Sequence, residues 1–465
     1  MNALARTRII AAAVAALALP VLPALRADEP SKPAPAKSAA AADAVTPKPL
    51  SDAVKKGLEY LVKQQHPTGG WGQGGGWRVG GTGGRVDGAA VQDPPDVGNT
   101  CIAVLALVRS GSTPKDGNYA KEVAKGVEFV CGHVEKADDK SLYVTDIKGT
   151  QLQSKIGPYV DTFLTSMVLA ELKGKMRGEK DDKMLTAALA KTVGKIEKNQ
   201  QADGTFAGNY GWATVLSQGL ANKGLNRLAQ AGAPIKGATL DRIQGQLAAN
   251  FDDKAKTFKP SPENTNPGYG RGNDKDNNKG GSRTGNGRGQ APAAPTNTAP
   301  SDAGVSIYGN SSNLTNCADQ VNTLRLAAVR AKETLTSKTA TKEAKDQAEA
   351  VLKKVVEAEK FCDESTRGVV KQLEDPAFVQ GFGSNGGEEF LSYMNISEAL
   401  LVKGGDEWKK WDKAMAQSLT RIQDKDGSWS GHHCITGKTF CTASALLVLM
   451  ADRAPIPVPV DKYVK

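Results

Sequence analysis

Two carboxylates open two of the most apolar stretches of this 465-residue chain: Asp96 in DVGNTCIAVLAL and Asp161 in YVDTFLTSMVLAEL. An acid at the mouth of a buried helix can protonate a substrate, or hydrolyse a glycosidic bond when a second carboxyl faces it. It can equally cap the helix, because Asp accepts hydrogen bonds from the unpaired N–H groups of the first turn. Glu388 and Glu389 repeat the placement ahead of FLSYMNISEALLV, with Tyr393 one turn further on. The helix macrodipole favours negative charge at such positions whether or not chemistry follows. A second set stands in GHHCITGKTFC, where His432, His433 and Cys434 are zinc-type ligands and Cys441 follows. The interval between these cysteines is not a usual zinc spacing and no Asp-x-Cys pair precedes it. No cofactor is therefore expected, and zinc is the alternative. Tyr210 and Trp212, in NYGWATVLSQGL, complete the candidates as walls of a ligand cavity. The chain shows no Walker loop, His-Glu-x-x-His motif, nucleophile elbow or Cys-Gly-Glu-Gln thioester motif.

Repeated elements must position these groups. SDAVKKGLEYLVKQQ places Val54, Leu58, Leu61 and Val62 on one helical face and stops at HPTGGWG, with Trp71 at the end of the turn. MLTAALAKTVGKIEKNQ stops at QADGTF, with Phe206 in the same place. WKKWDKAMAQSLTRIQ stops at DKDGSWSG, with Trp429 there. Each turn leads to a second helix that is apolar or small on nearly every side and so is expected to be buried all round. Six pairs follow. Outer helices begin near 51, 117, 183, 238, 341 and 407, and inner ones near 98, 161, 210, 316, 390 and 439. Wholly buried inner helices argue for closure into a ring, since an open array needs polar end caps. The expected fold is all-α, an α/α toroid or (α6/α6)-type barrel, over residues 50–455. Residues 260–303 contain almost no apolar side chain and are expected to form a disordered insertion, either a solvated loop or a flap over one mouth.

The turns QQHPTGGWG, QQADGTF and QDKDGSWSG resemble the repeat of the prenyltransferase and squalene-oxidase group, the toroids of terpene cyclases and protein prenyltransferases. The resemblance covers most of 50–455 outside the insertion. It implies that Gln, Gly and Trp of each turn tie an outer helix to its neighbour. In the protonating cyclases an inner helix opens with Asp-x-Asp-Asp-Thr, the middle Asp being the acid. DVGNT matches it at Asp96 and Thr100 but carries Gly98 and Asn99 where acids are required. Cyclases also steer carbocations with aromatic faces, and this chain holds only six Trp, nine Tyr and ten Phe. The leading expectation is therefore a non-catalytic, cyclase-like toroid that binds an apolar small molecule or an envelope polymer in its central cavity. An isoprenoid-branch enzyme using Asp96 and Asp161, or zinc, is the first alternative. A carbohydrate-active barrel using Asp161, Glu388 or Glu389 is the second.

Residues 1–27 read as a secretory signal, with Arg6 and Arg8 ahead of an apolar run interrupted by Pro20 and Pro23. Residues 28–49 read as a Pro/Ala-rich linker and 456–465 as a tail. The expected product is exported, periplasmic or extracellular, and not membrane-spanning. Loss of 1–27 removes three arginines and no acid, taking the formal charge from +10 to +7. That mild excess permits association with acidic envelope polymers and gives no case for nucleic acid. Six cysteines in an exported chain suggest three disulfides, with 101–131, 317–362 and 434–441 favoured by proximity.

Overall fold

A computed structural model describes residues 46–78, 84–88, 91, 93–254, 256–259, 300–375 and 386–455, with side chains from 307 onward in the segment that begins at 300. The signal at 1–27, most of the linker, the tail at 456–465 and residues 260–299 of the expected insertion lie outside the described residues. The described part is mostly helical. Its helices are α1 (Asp52–Lys63), α2 (Val97–Arg109), α3 (Ala120–Lys136), α4 (Gln151–Lys155), α5 (Val160–Leu172), α6 (Glu179–Asn199) and α7 (Thr214–Gln230). They continue with α8 (Gly237–Asn250), α9 (Pro300–Thr336), α10 (Lys342–Leu373), α11 (Gly387–Lys403), α12 (Gly405–Arg421) and α13 (Lys438–Leu449). Two short antiparallel hairpins interrupt them. β1 (Gly76–Trp77) pairs with β2 (Arg85–Val86), and β3 (Phe251–Asp252) with β4 (Thr257–Phe258). Among the described residues no helix is long and apolar enough to cross a membrane.

The two helix types fold as their patterns dictate. In α1, Ser51 caps by accepting from Val54 N, and Val54, Leu58 and Leu61 are buried while Lys55, Lys56 and Glu59 face water. In α5 every residue from Val160 to Leu172 is buried. The inner helices are neighbours in sequence: α2 packs on α5, α5 on α7, α7 on α9, α9 on α11, α11 on α13, and α13 on α2.

The turns repeat in atomic detail. Trp71 Nε1 donates to Leu61 O at 2.7 Å, and Trp429 Nε1 to Leu419 O at 2.8 Å. Their backbone N–H groups donate to Thr100 Oγ1 at 2.9 Å and Thr442 Oγ1 at 3.0 Å, on the inner helix that follows each turn. Gln65 Nε2 reaches Glu122 O of α3, Gln200 Nε2 reaches Thr239 O of α8, and Gln423 Nε2 reaches Ala53 O of α1. The last contact joins helix α12 back to the first. Gly69, Gly204 and Gly427 hold φ of +94°, +86° and +88°, and a Cβ on each would lie 2.5–2.9 Å from a carbonyl oxygen of the adjoining outer helix. Glycine is required there on both counts.

The structure differs from the expectations at three points. The fourth inner helix begins at Pro300, not 316, so the last residues of the expected insertion are helical. Its YGNSSNLTN stretch reads as a loop because Ser and Asn compete for backbone hydrogen bonds. Here Ser311 Oγ donates back to Tyr308 O and Asn313 Nδ2 to Gly309 O within the helix, and packing on α7, α10 and α11 outweighs propensity. Second, no disulfide is formed among the six cysteines, where three were expected, although Cys101 and Cys131, and Cys317 and Cys362, are close enough to influence each other. Each of three sulfurs has another neighbour: Cys101 Sγ lies 3.5 Å from Thr165 Oγ1, Cys434 Sγ 2.8 Å from His433 Nδ1, and Cys441 Sγ donates to Ile435 O at 3.4 Å. Third, the short helix α4 and both hairpins went unread in the sequence, being too short to show a period.

Candidate functional site

The inner-helix starts bring Asp96 and Asp161 together around Gly98. Asp96 caps α2: its Oδ1 accepts from Asn99 N and its Oδ2 from Asn99 Nδ2, both at 2.8 Å. Asp161, from α5, accepts from Gly98 N and from Gln153 Nε2 of α4, also at 2.8 Å. A Cβ on Gly98 would lie 3.2 Å from Asp161 Oδ1 and 3.6 Å from Asp96 Oδ1. Asp161 thus fills the space that a side chain at 98 would take. The two acids are 5% and 2% exposed, too little for a substrate to touch. Burial and the neighbouring Asp161 carboxylate push the Asp96 carboxyl up to about 7, against the pull of its Asn99 and Gly98 contacts. Burial also raises Asp161, opposed by Gln153 and the Gly98 N–H.

At the start of α11, Glu388 is wholly buried and accepts from Ile435 N at 3.1 Å, while its Oε1 finds no hydrogen-bond partner among the described residues. Burial pushes its carboxyl up to about 7. Glu389 is buried and accepts from the Tyr393 hydroxyl. Burial and the nearby Glu388 raise the Cys434 thiol to about 12, the reverse of what a metal thiolate needs. His432 and His433 are exposed, and among the described residues no three His, Cys, Asp or Glu side chains converge on one point. The zinc arrangement of His432, His433 and Cys434 is therefore not assembled. The pair of acids across an open cleft expected for hydrolysis is not formed either, because Asp161, Glu388 and Glu389 are all buried.

Tyr210 and Trp212 do not line a cavity. They precede α7 in a loop and are 43% and 53% exposed. The loop is fixed to α4 by Ala213 N donating to Lys155 O at 2.8 Å. At the other end of α4, Gln151 Nε2 donates to Trp77 O at 3.1 Å, and Trp77 is 45% exposed. Trp71, Phe206 and Trp429 are buried as structural turns.

Sequence reasoning missed a buried ion network drawn from five of the six inner helices. Arg109 (α2) pairs with Glu171 (α5) and, at 2.9 Å, with Glu398 (α11). Lys223 (α7) pairs with Glu398 and lies 3.6 Å from Asp319 (α9). Arg227 (α7) is 2.7 Å from Asp319 and 3.4 Å from Glu398. Three cations meet three acids. Burial alone would raise Glu398, but Lys223, Arg109 and Arg227 hold it well below the usual carboxylate range. The sequence did carry a signal: each inner helix that takes part has a charge inside an otherwise apolar or small run, as in SEALL and MVLAEL.

No family model matches the chain, and neither a curated protein nor a solved structure matches it.

Proposed function

We propose that this protein is an exported α/α toroid of the prenyltransferase and squalene-oxidase repeat kind, without cyclase chemistry, that binds an envelope polymer. The cycle of inner-helix neighbours and the Gln423 tie from α12 back to α1 support ring closure. The observation that carries the non-catalytic reading is the state of the paired acids. Asp96 and Asp161 are each engaged by N–H donors and sealed from solvent, so neither is placed to hand a proton to a substrate. The ion network favours a polymer over an apolar molecule, because five of the inner helices present charge to one another at that level. An uncharged hydrocarbon brought there would have to separate buried ion pairs.

One feature favours the enzymatic alternative: with its carboxyl pushed up to about 7 by burial and Asp161, Asp96 keeps its proton in roughly half of the molecules in neutral solution. Incubation with squalene and with farnesyl diphosphate, alongside sedimentation with protein-free cell-envelope polymer, separates the two. Co-sedimentation without product is the expected result. A cyclised or transferred product that disappears in Asp96→Asn would overturn the proposal.

A further inference from the structure

Among the described residues the three exposed aromatic side chains, Trp77, Tyr210 and Trp212, all belong to segments bonded to the same short helix, α4. That helix spans five residues, about 7 Å at the usual rise. Trp77 is held at its first residue and the Tyr210–Trp212 loop at its last. Near Tyr210, the rings of Tyr143 and Tyr159 meet at 4.9 Å with a 57° tilt, and the Tyr159 hydroxyl donates to Ala207 O in the approach to the same loop. Exposed large hydrophobic side chains elsewhere are single aliphatics, Val356 and Ile422. An exposed cluster of Trp and Tyr with no aliphatic member is amphipathic, not greasy. It offers flat faces beside hydroxyl, indole N–H and amide groups. One cation stands at it: Lys148 Nζ lies 2.9 Å from the Tyr143 ring centroid and donates to Thr145 O, whereas the charge of Lys155, the last residue of α4, acts on Glu388 and Cys434. The acids acting on Lys148 are Asp146 and Asp138, which are exposed, and Asp161, which is buried with its carboxyl raised by burial; Glu388, near Lys155, is buried and raised likewise.

We propose that this rim is a binding site for an anionic polysaccharide, with sugar faces stacked on Trp77 and Trp212 and a carboxylate met by Lys148. Spaced rings suit a chain of sugars. Each ring covers the C–H face of one residue, while equatorial hydroxyls stay in reach of polar groups. The proposal rests on the polymer-binding reading and gives it a place and a ligand class.

The test is affinity electrophoresis of the full chain in gels containing polygalacturonate, alginate, hyaluronate or, as an uncharged control, dextran. The expected result is retardation by at least one anionic chain, more than by dextran. Trp77→Ala and Trp212→Ala should each weaken it about three- to tenfold, with Trp212→Phe retaining most of it. Because these side chains are exposed, thermal unfolding of the variants should match the wild type. Retardation that persists undiminished in the Trp77→Ala/Trp212→Ala double variant would overturn the rim assignment and leave the polymer reading standing. No retardation by any chain, with co-sedimentation on envelope polymer retained, would overturn the anionic-polysaccharide assignment. Loss of both would sink the functional reading as well.

Discussion

Two sets of buried acids among the described residues share the same desolvation, and their surroundings shift them oppositely. At the inner-helix starts, Asp96, Asp161 and Glu388 are met by N–H groups, and their carboxyls are raised. In the ion network, Glu398 is just as buried but is met by two guanidinium groups and an ammonium, and its carboxyl is lowered. Desolvation is common to both. What differs is whether full positive charge stands close enough to offset it. The first group is therefore a set of acids whose carboxyls burial has raised, and the second a salt-bridged cross-link between helices distant in the chain. Neither arrangement is an open catalytic pair.

Three substitutions would break or sharpen that contrast. The largest effect is expected from Glu398→Ala. It leaves Lys223, Arg109 and Arg227 without their shared partner in the interior, and removal of one member of a buried ionic group costs about 3–5 kcal/mol. Denaturant unfolding measures it, and a loss below about 1 kcal/mol would show that water reaches the network.

Asp96→Asn should act with the opposite sign at alkaline pH. The folded-state carboxyl of Asp96 lies above its ordinary value, so as pH rises the unfolded chain releases its proton first. Stability from this group is complete below about pH 4 and is lost as pH climbs through about 7. Asn keeps the acceptor for Asn99 N and never ionises. The unpartnered Asn99 Oδ1 can then turn to accept from the new amide. The variant should match the wild type near pH 4 and exceed it at pH 8 by on the order of 2–4 kcal/mol. Glu388 titrates over the same range, so the wild-type slope should be reduced, not abolished. Unfolding free energies across pH 4–8 supply the measurement, and an unchanged slope would contradict the raised carboxyl.

The smallest effect is expected from Gly98→Ala. The new methyl meets Leu152 Cδ1 at 3.0 Å and Asp161 Oδ1 at 3.2 Å, so the acid must move. Overpacking of this kind costs about 1–3 kcal/mol. A neutral result would mean that Asp161 is not seated where Gly98 makes room.

Much of the fold was legible because its determinants are local. The turn residues Gly69, Gly204 and Gly427 occupy a backbone conformation that glycine adopts without penalty, and Trp71 and Trp429 bond to a carbonyl ten residues earlier. The Asp96 cap spans three residues. Period and capping reveal such features without knowledge of the rest of the chain. The start of α9 was hidden because its Ser- and Asn-rich residues favour helix only once α7, α10 and α11 surround them. The exposure of Trp212 was hidden because helix α7 begins two residues after it, at Thr214, and a two-residue shift turns an inward ring into an outward one.

The sequence by itself determined that this is a chain of paired helices with glycine-aromatic turns, and that position 98, two residues after Asp96, offers no acid. Tertiary structure alone decided that Asp161 enters the gap at Gly98 from 63 residues away and that Arg109 meets Glu398 across 289. The physical reason is range. Caps and helical periods are set within a turn or two of backbone, whereas a carboxyl's charge state is set by whichever groups the packing brings within a few ångströms.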